Sequence, residues 1–210
     1  MNLTVVNAVK ETFITALKNV PSFMGAALLW VLTCWIPYIN VGTTIALFYA
    51  MPIELSKGTV MNPLSIFDGK YRKYMGEFFS IIGLMSISII PALCFMVVPA
   101  IIISIGWCLA ICIMIDKELN PAEAMTESTR CTYGYKWTIF GANILIYLGW
   151  VVVSMIVLYL FAAIKVDILV FIAIVASLIV GITLQVCFTG VIYRYLVRLR
   201  NVPPATPDIL

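Results

Sequence analysis

The chain is dominated by four long apolar passages, about 20 to 53, 78 to 115, 137 to 164 and 168 to 193, almost free of charge. A run of roughly 20 apolar residues is enough to cross the hydrocarbon of a bilayer as a helix. Backbone groups in hydrocarbon must find their partners inside the chain, so helices are the natural solution for such runs. Only 11% of the 210 residues are charged and 63% are hydrophobic, against about 25% charged in an ordinary soluble domain. The first two passages are too long for one crossing and carry an internal break, at Asn40 in one and between Pro91 and Pro99 in the other. Each therefore divides into a hairpin. The expectation is an all-α polytopic membrane protein with six transmembrane helices in three hairpins, at about 20–39, 41–56, 78–96, 98–115, 137–163 and 168–194. Residues 1–200 form a single integral membrane domain, and 201–210 form a flexible cytoplasmic tail.

Basic loops are retained on the cytoplasmic side of a membrane. With the N-terminus inside, Lys10, Lys18, Lys57, Lys70, Arg72, Lys73, Lys117, Arg130, Lys136, Arg194, Arg198 and Arg200 all fall inside, leaving only Lys165 outside. The net charge of +3 therefore reads as a topology signal, with both termini cytoplasmic and no nucleic-acid partner. The first apolar run is too long for the core of a secretory signal and lacks a small-residue cleavage pattern, which argues against a cleaved leader.

The longest polar passage, NPAEAMTESTRCTYGYKW at 120–137, has the form of a short helix. Asn120 can cap, Pro121 suits the first helical position, Glu123 stands where a capping box needs it, and Gly134 is a natural stop. Ala124, Ser128 and Cys131 make a narrow small-residue face beside a charged face of Glu123, Glu127 and Arg130. The expectation is a helix over 121–132 lying at the cytoplasmic interface, its small face packed on the bundle. Tyr133, Tyr135 and Trp137 then mark re-entry into the bilayer.

Asn62–Pro63 precedes Asn120–Pro121 by 58 residues, and Gly25, Gly83 and Gly141 repeat that offset. Overlaying on it divides the chain into units 4–56, 62–115 and 120–194, each an interfacial helix, a rising span, an outer turn and a falling span. The alternative is a coincidence of Gly and Pro at the period of a helical hairpin.

The passage IDKELNPAEAMTESTRCTYGYKWTIFG at 115–141, with LIYLGW at 145–150 and FDGKYRKYMGEFF at 67–79, resembles a family of six-span bacterial membrane proteins defined only as a domain of unknown function. The positions that carry the likeness are Asp116, Glu123, Ala124, Met125, Ser128, Gly134, Lys136 and Phe140. A similar organisation occurs in the membrane region of some glycerophosphodiester phosphodiesterases, whose soluble catalytic barrel has no room here. The resemblance implies a fold and an address in the bacterial cytoplasmic (inner) membrane, and no activity.

Catalytic chemistry has little to work with. There is no histidine, no nucleophile-elbow motif and no glycine-rich phosphate loop. The six cysteines lack metal-binding spacing; Cys108 and Cys112, four apart, read as packing residues. No cofactor or metal is expected. Ionisable or amide side chains inside a span are the remaining candidates: Glu54 near the inner end of the second span, and Asn143 and Gln185, about two turns from the inner surface and able to pair across helices. Lys70, Arg72 and Lys73 with Arg194, Arg198 and Arg200 form a basic rim suited to anionic lipid or a partner. These features fit a non-catalytic scaffold or accessory subunit that engages membrane lipids, a protein partner or a second copy. The alternative is a transporter or channel for an apolar or amphipathic solute, using spans broken at Pro52, Pro91 and Pro99. The orientation has a direct check: a cysteine placed at Asn201 should react with an impermeant reagent only after permeabilisation, and strong labelling in intact cells would reverse the topology.

Overall fold

The computed structural model describes residues 3–59, 62–163 and 166–199, and among these the chain is helical throughout, with no strand. Four helices are long and apolar enough to cross a membrane: Gly69–Phe95, Val97–Lys117, Lys136–Ala163 and Asp167–Arg198. A fifth candidate is the pair α1 (Val5–Lys18) and α2 (Val20–Thr33), bent by 79° at Asn19. The first returning helix is α3 (Pro37–Ile45), continued without a break through a π-turn (Ala46–Ala50) into α4 (Met51–Ser56).

The first turn comes earlier than the expected break at Asn40, and the second falls inside the expected interval between Pro91 and Pro99. Asn40 lies inside α3, because Pro37, whose missing N–H costs nothing at a helix start, begins that helix three residues earlier. Pro91 lies inside α5 (Met75–Phe95), and the chain turns at Met96, which is extended with φ −160° and ψ 140°. From there α6 (Val97–Gly106) and α7 (Ala110–Lys117) form one returning span interrupted at 107–109. After α8 (Pro121–Thr132) come the long pair α9 (Lys136–Ala163) and α10 (Asp167–Tyr193), the latter ending in a π-turn (Arg194–Arg198). Lys165 and Arg200 lie outside the described residues.

Of the four segments that start at a side-chain cap among the described residues, three have caps 58 residues apart, and the fourth is Gly69–Tyr74, capped by Asp68. Thr4 accepts from the Asn7 amide ahead of α1, Asn62 from Leu64 ahead of a 3-10 turn (Pro63–Phe67), and Asn120 from Glu123 ahead of α8. Each short segment packs on the outgoing helix that precedes it in cyclic order: the 3-10 turn on α2, α8 on α5, and α1 on α9. The contacts between first and last elements close the ring.

The core lies among the returning helices. Ile45, Leu47 and Met51 from the first, Leu109, Ile113 and Met114 from the second, and Ile192, Tyr193 and Leu196 from the third are at most 2% exposed. The outgoing helices α5 and α9 bury little beyond Phe78, Ile81, Ile139, Ala142 and Ile146, and present apolar surface outward. That distribution places the apolar exterior where lipid tails would contact it.

Close approach of α10 to α4 depends on Gly190, where an added Cβ would lie 3.1 Å from the Pro52 carbonyl oxygen and 3.2 Å from Leu55 Cβ. Gly25 is held as tightly against Pro63, at 3.2 Å, whereas Gly83 has nothing within 4 Å, so the three glycines spaced by 58 do not share one packed environment. Gly190→Ala should lower stability in detergent melting by about 1–3 kcal/mol through overpacking. Gly83→Ala should leave it unchanged or raise it, through the better helix propensity of alanine.

Candidate functional site

The interruption of the second returning span is the feature to which the surrounding polar groups converge. At Gly106 the α-helical ladder stops, freeing a carbonyl, and at Leu109 a new helix starts with an unsatisfied amide. Ser128 Oγ donates to the Gly106 carbonyl at 2.7 Å and accepts from the Leu109 amide at 3.3 Å, while Thr132 Oγ1 adds a second donation to Gly106 at 3.3 Å. Ala124, Ser128 and Cys131 are at most 1% exposed, so the small face of α8 is the packed face. Small side chains let α8 come close enough for a serine hydroxyl to bridge both sides of the break.

The neighbouring face of α8 carries its charge. Glu127 sits 2.8 Å from Lys117 Nζ and 3.0 Å from Arg130 Nε. Partial burial raises the Glu127 pKa, and the two cations outweigh it and hold the carboxyl below its ordinary value.

Beside the break is a cavity of about 190 Å³, bounded by Ser104, Cys108, Phe140, Asn143, Gln185 and Thr189, among others. It brings together the two carboxamides singled out in the sequence. Asn143 and Gln185 do not pair with each other; Asn143 Oδ1 is buried without a hydrogen-bond partner. Glu54 is elsewhere, paired to Lys57 at 2.9 Å and bonded to Thr59 at 3.1 Å. It borders a charged basin of about 440 Å³ shared with Lys57, Lys70, Lys73, Asp116 and Glu118.

The basic rim divides. Lys70 pairs with Asp68 at 3.1 Å and lies over the Tyr71 ring, and Lys73 lies over the Tyr74 ring. Arg72 lays its stem on α3, where a Cβ at Gly42 would come within 2.8 Å of Arg72 Cγ. Arg194 is 4.0 Å from Glu11 of α1. Arg198 turns inward: its Nε donates to Ser56 Oγ at 2.6 Å, its Nη2 lies 3.3 Å from Asp116, and Tyr193 donates to the same carboxylate at 2.7 Å. Ser56, Asp116 and the Tyr193–Arg198 pair come from the three different returning helices, so this network ties their inner ends together. Asp116 is marked in the sequence only as a position of the family resemblance and Ser56 not at all, because their Arg198 partner lies 82 and 142 residues away.

A groove of about 820 Å³ runs between α5 and α8, with Leu84, Trp107 and Met125 as apolar walls and Ser88, Thr129 and Arg130 among its polar edges.

No family model, curated protein or solved structure matches the chain.

Ser128→Ala should cost about 1–3 kcal/mol in detergent melting, the usual penalty for a buried polar group left without its partner; an unchanged melt would mean that the break is satisfied otherwise. The Glu127 pairs have a pH signature. A depressed folded-state pKa contributes stability that is complete above the unfolded value near 4.3 and lost as pH falls through the folded value. Glu127→Gln should therefore reduce stability at pH 7 and flatten that acid-side decline.

Proposed function

We propose that the chain is a non-catalytic integral membrane protein whose lateral groove holds the acyl chain of a membrane lipid. In this reading it serves as a lipid-engaging scaffold or accessory subunit. The groove between α5 and α8 carries the proposal: Leu84, Trp107 and Met125 make its walls apolar, and Thr126, Thr129 and Arg130 of α8 together with Ser88 of α5 are among its polar groups. A lipid tail matches such walls, and a headgroup phosphate or ester matches hydroxyls and a guanidinium.

The finer topology belongs to the same proposal. Six spans result if the bent α1–α2 pair supplies the first and the unbroken helix from Pro37 to Ser56 the second. Both termini then share the basic side, which the placement of Lys and Arg favours as cytoplasmic, and the resemblance at 115–141 supports a bacterial inner membrane as the address. The three units 4–56, 62–115 and 120–194 are proposed as copies of one ancestral hairpin, supported by the capped starts 58 residues apart and by the cyclic contacts. A protein partner or second copy would use the outward apolar faces. The transporter reading has less support along the axis, where Ile45, Met51, Ile113 and Leu196 fill the space between the returning helices.

Photo-cross-linking with a phospholipid bearing a diazirine in its acyl chain tests the groove. Adducts should concentrate on α5 and α8, at Leu84 and Met125, and Ser88→Phe, at a position lining the groove, should reduce them about tenfold by filling it. Adducts spread evenly over α5, α9 and α10, unchanged by Ser88→Phe, would leave no lipid site there.

A further inference from the structure

The cavity beside the helix break lies apart from the lipid groove and has a different chemistry. Its lining residues come from α6, the 107–109 break, α9 and α10, with Asn143 and Gln185 facing it from neighbouring helices. Neither carboxamide has a protein hydrogen bond, and Asn143 Oδ1 is fully buried. An unpaired buried amide is costly in a protein interior, and in hydrocarbon no water is at hand to relieve it. The buried Asn143 oxygen and the half-buried, unpaired Gln185 amide line one cavity and call for a shared partner.

The other polar groups narrow what that partner is. Ser104 Oγ donates to the Ala100 carbonyl at 2.8 Å and Thr189 Oγ1 to the Gln185 carbonyl at 3.0 Å. Their hydrogens are thus committed, and they offer the cavity acceptor lone pairs only. The carboxamides offer both donors and acceptors. No charged side chain lines the cavity, so an ion would enter uncompensated. Phe140, Phe188, Leu109 and Ile192 supply apolar walls. About 190 Å³ is below the roughly 300 Å³ lower bound of drug-sized sites, and suits a ligand of a few heavy atoms.

From these features we infer that the cavity is a binding site for a small uncharged polyol. Its hydroxyls would bridge Asn143 and Gln185 and donate to Ser104 and Thr189, while its C–H face lies on the Phe140 and Phe188 rings. A polyol meets both surfaces at once: a monohydric alcohol leaves one amide unpaired, and water alone leaves the aromatic walls unsatisfied.

Saturation-transfer NMR on the protein in lipid nanodiscs tests the assignment, with glycerol as the probe. 1-Propanol has the same three-carbon chain and a single hydroxyl, and glycerol 3-phosphate adds charge. Glycerol should give a saturable signal at least tenfold stronger in apparent affinity than either comparator. Asn143→Leu and Gln185→Met, on different helices, should each weaken it tenfold or more. Both should melt at or above the wild-type temperature, since each removes an unpaired amide. Ser88→Phe, which fills the lipid groove, should leave glycerol binding unchanged, so the two proposals fail separately. The site is refuted by an unsaturable glycerol signal, by 1-propanol matching glycerol, or by glycerol binding that persists in whichever of the two carboxamide variants keeps a cooperative melt.

Discussion

Every interruption of a helix in a bilayer exposes backbone groups that nothing outside the protein can satisfy, and the interruption at residues 107–109 is met by one serine. Ser128 bridges the Gly106 carbonyl and the Leu109 amide across the gap. For it to reach, α8 must present a face with no bulk, which Ala124 and Cys131 provide on either side of it. The polar segment at 120–137 thus exists because an apolar span next to it is broken. The cavity lined by Asn143 and Gln185 opens beside that break.

The same logic organises the inner end of the molecule. The returning helices meet through apolar side chains along most of their length and through one polar network at their inner ends, where Arg198 reaches Ser56 and Asp116. Acidic residues of the short helices hold the inner ends of the preceding returning helices: Glu127 of α8 pairs with Lys117, and Glu11 of α1 takes a hydrogen bond from Tyr195. Glu11 and Glu127 each stand seven residues after a capping residue, Thr4 and Asn120. Pairs of this kind at a partly exposed surface contribute little individually. What they add is register, since each acidic residue has its partner on a different helix.

Much of this was legible in the sequence because it is local. The α8 helix follows from Asn120, Pro121 and Gly134, and its buried face from the spacing of Ala124, Ser128 and Cys131. Long apolar helices follow from uncharged runs. Turn positions were less legible: Asn40 looks like a break by polarity, but Pro37 sets the helix start, and Pro91 is carried inside α5 as one imperfection in a long ladder. The break at 107–109 carries no composition signal, since Gly106 and Trp107 are ordinary inside a span. Arg198 read as a rim charge because its partners come from two other helices. Asn143 and Gln185 were recognisable as intramembrane amides; that they face one cavity without pairing depends on helix rotation, which periodicity in so uniformly apolar a segment does not encode.

The account rests on three units closing into a ring around the returning helices, with the capped starts of the short segments arranged about a common axis. Spin labels placed pairwise at Asn7, Ser65 and Glu123, in a background whose exposed cysteines Cys34, Cys94 and Cys108 are replaced by serine, measure that arrangement directly. Double electron–electron resonance in nanodiscs should give three narrow distance distributions of nearly equal mean, as for the corners of an equilateral triangle. One distance close to the sum of the other two would place the units in a row and contradict the ring.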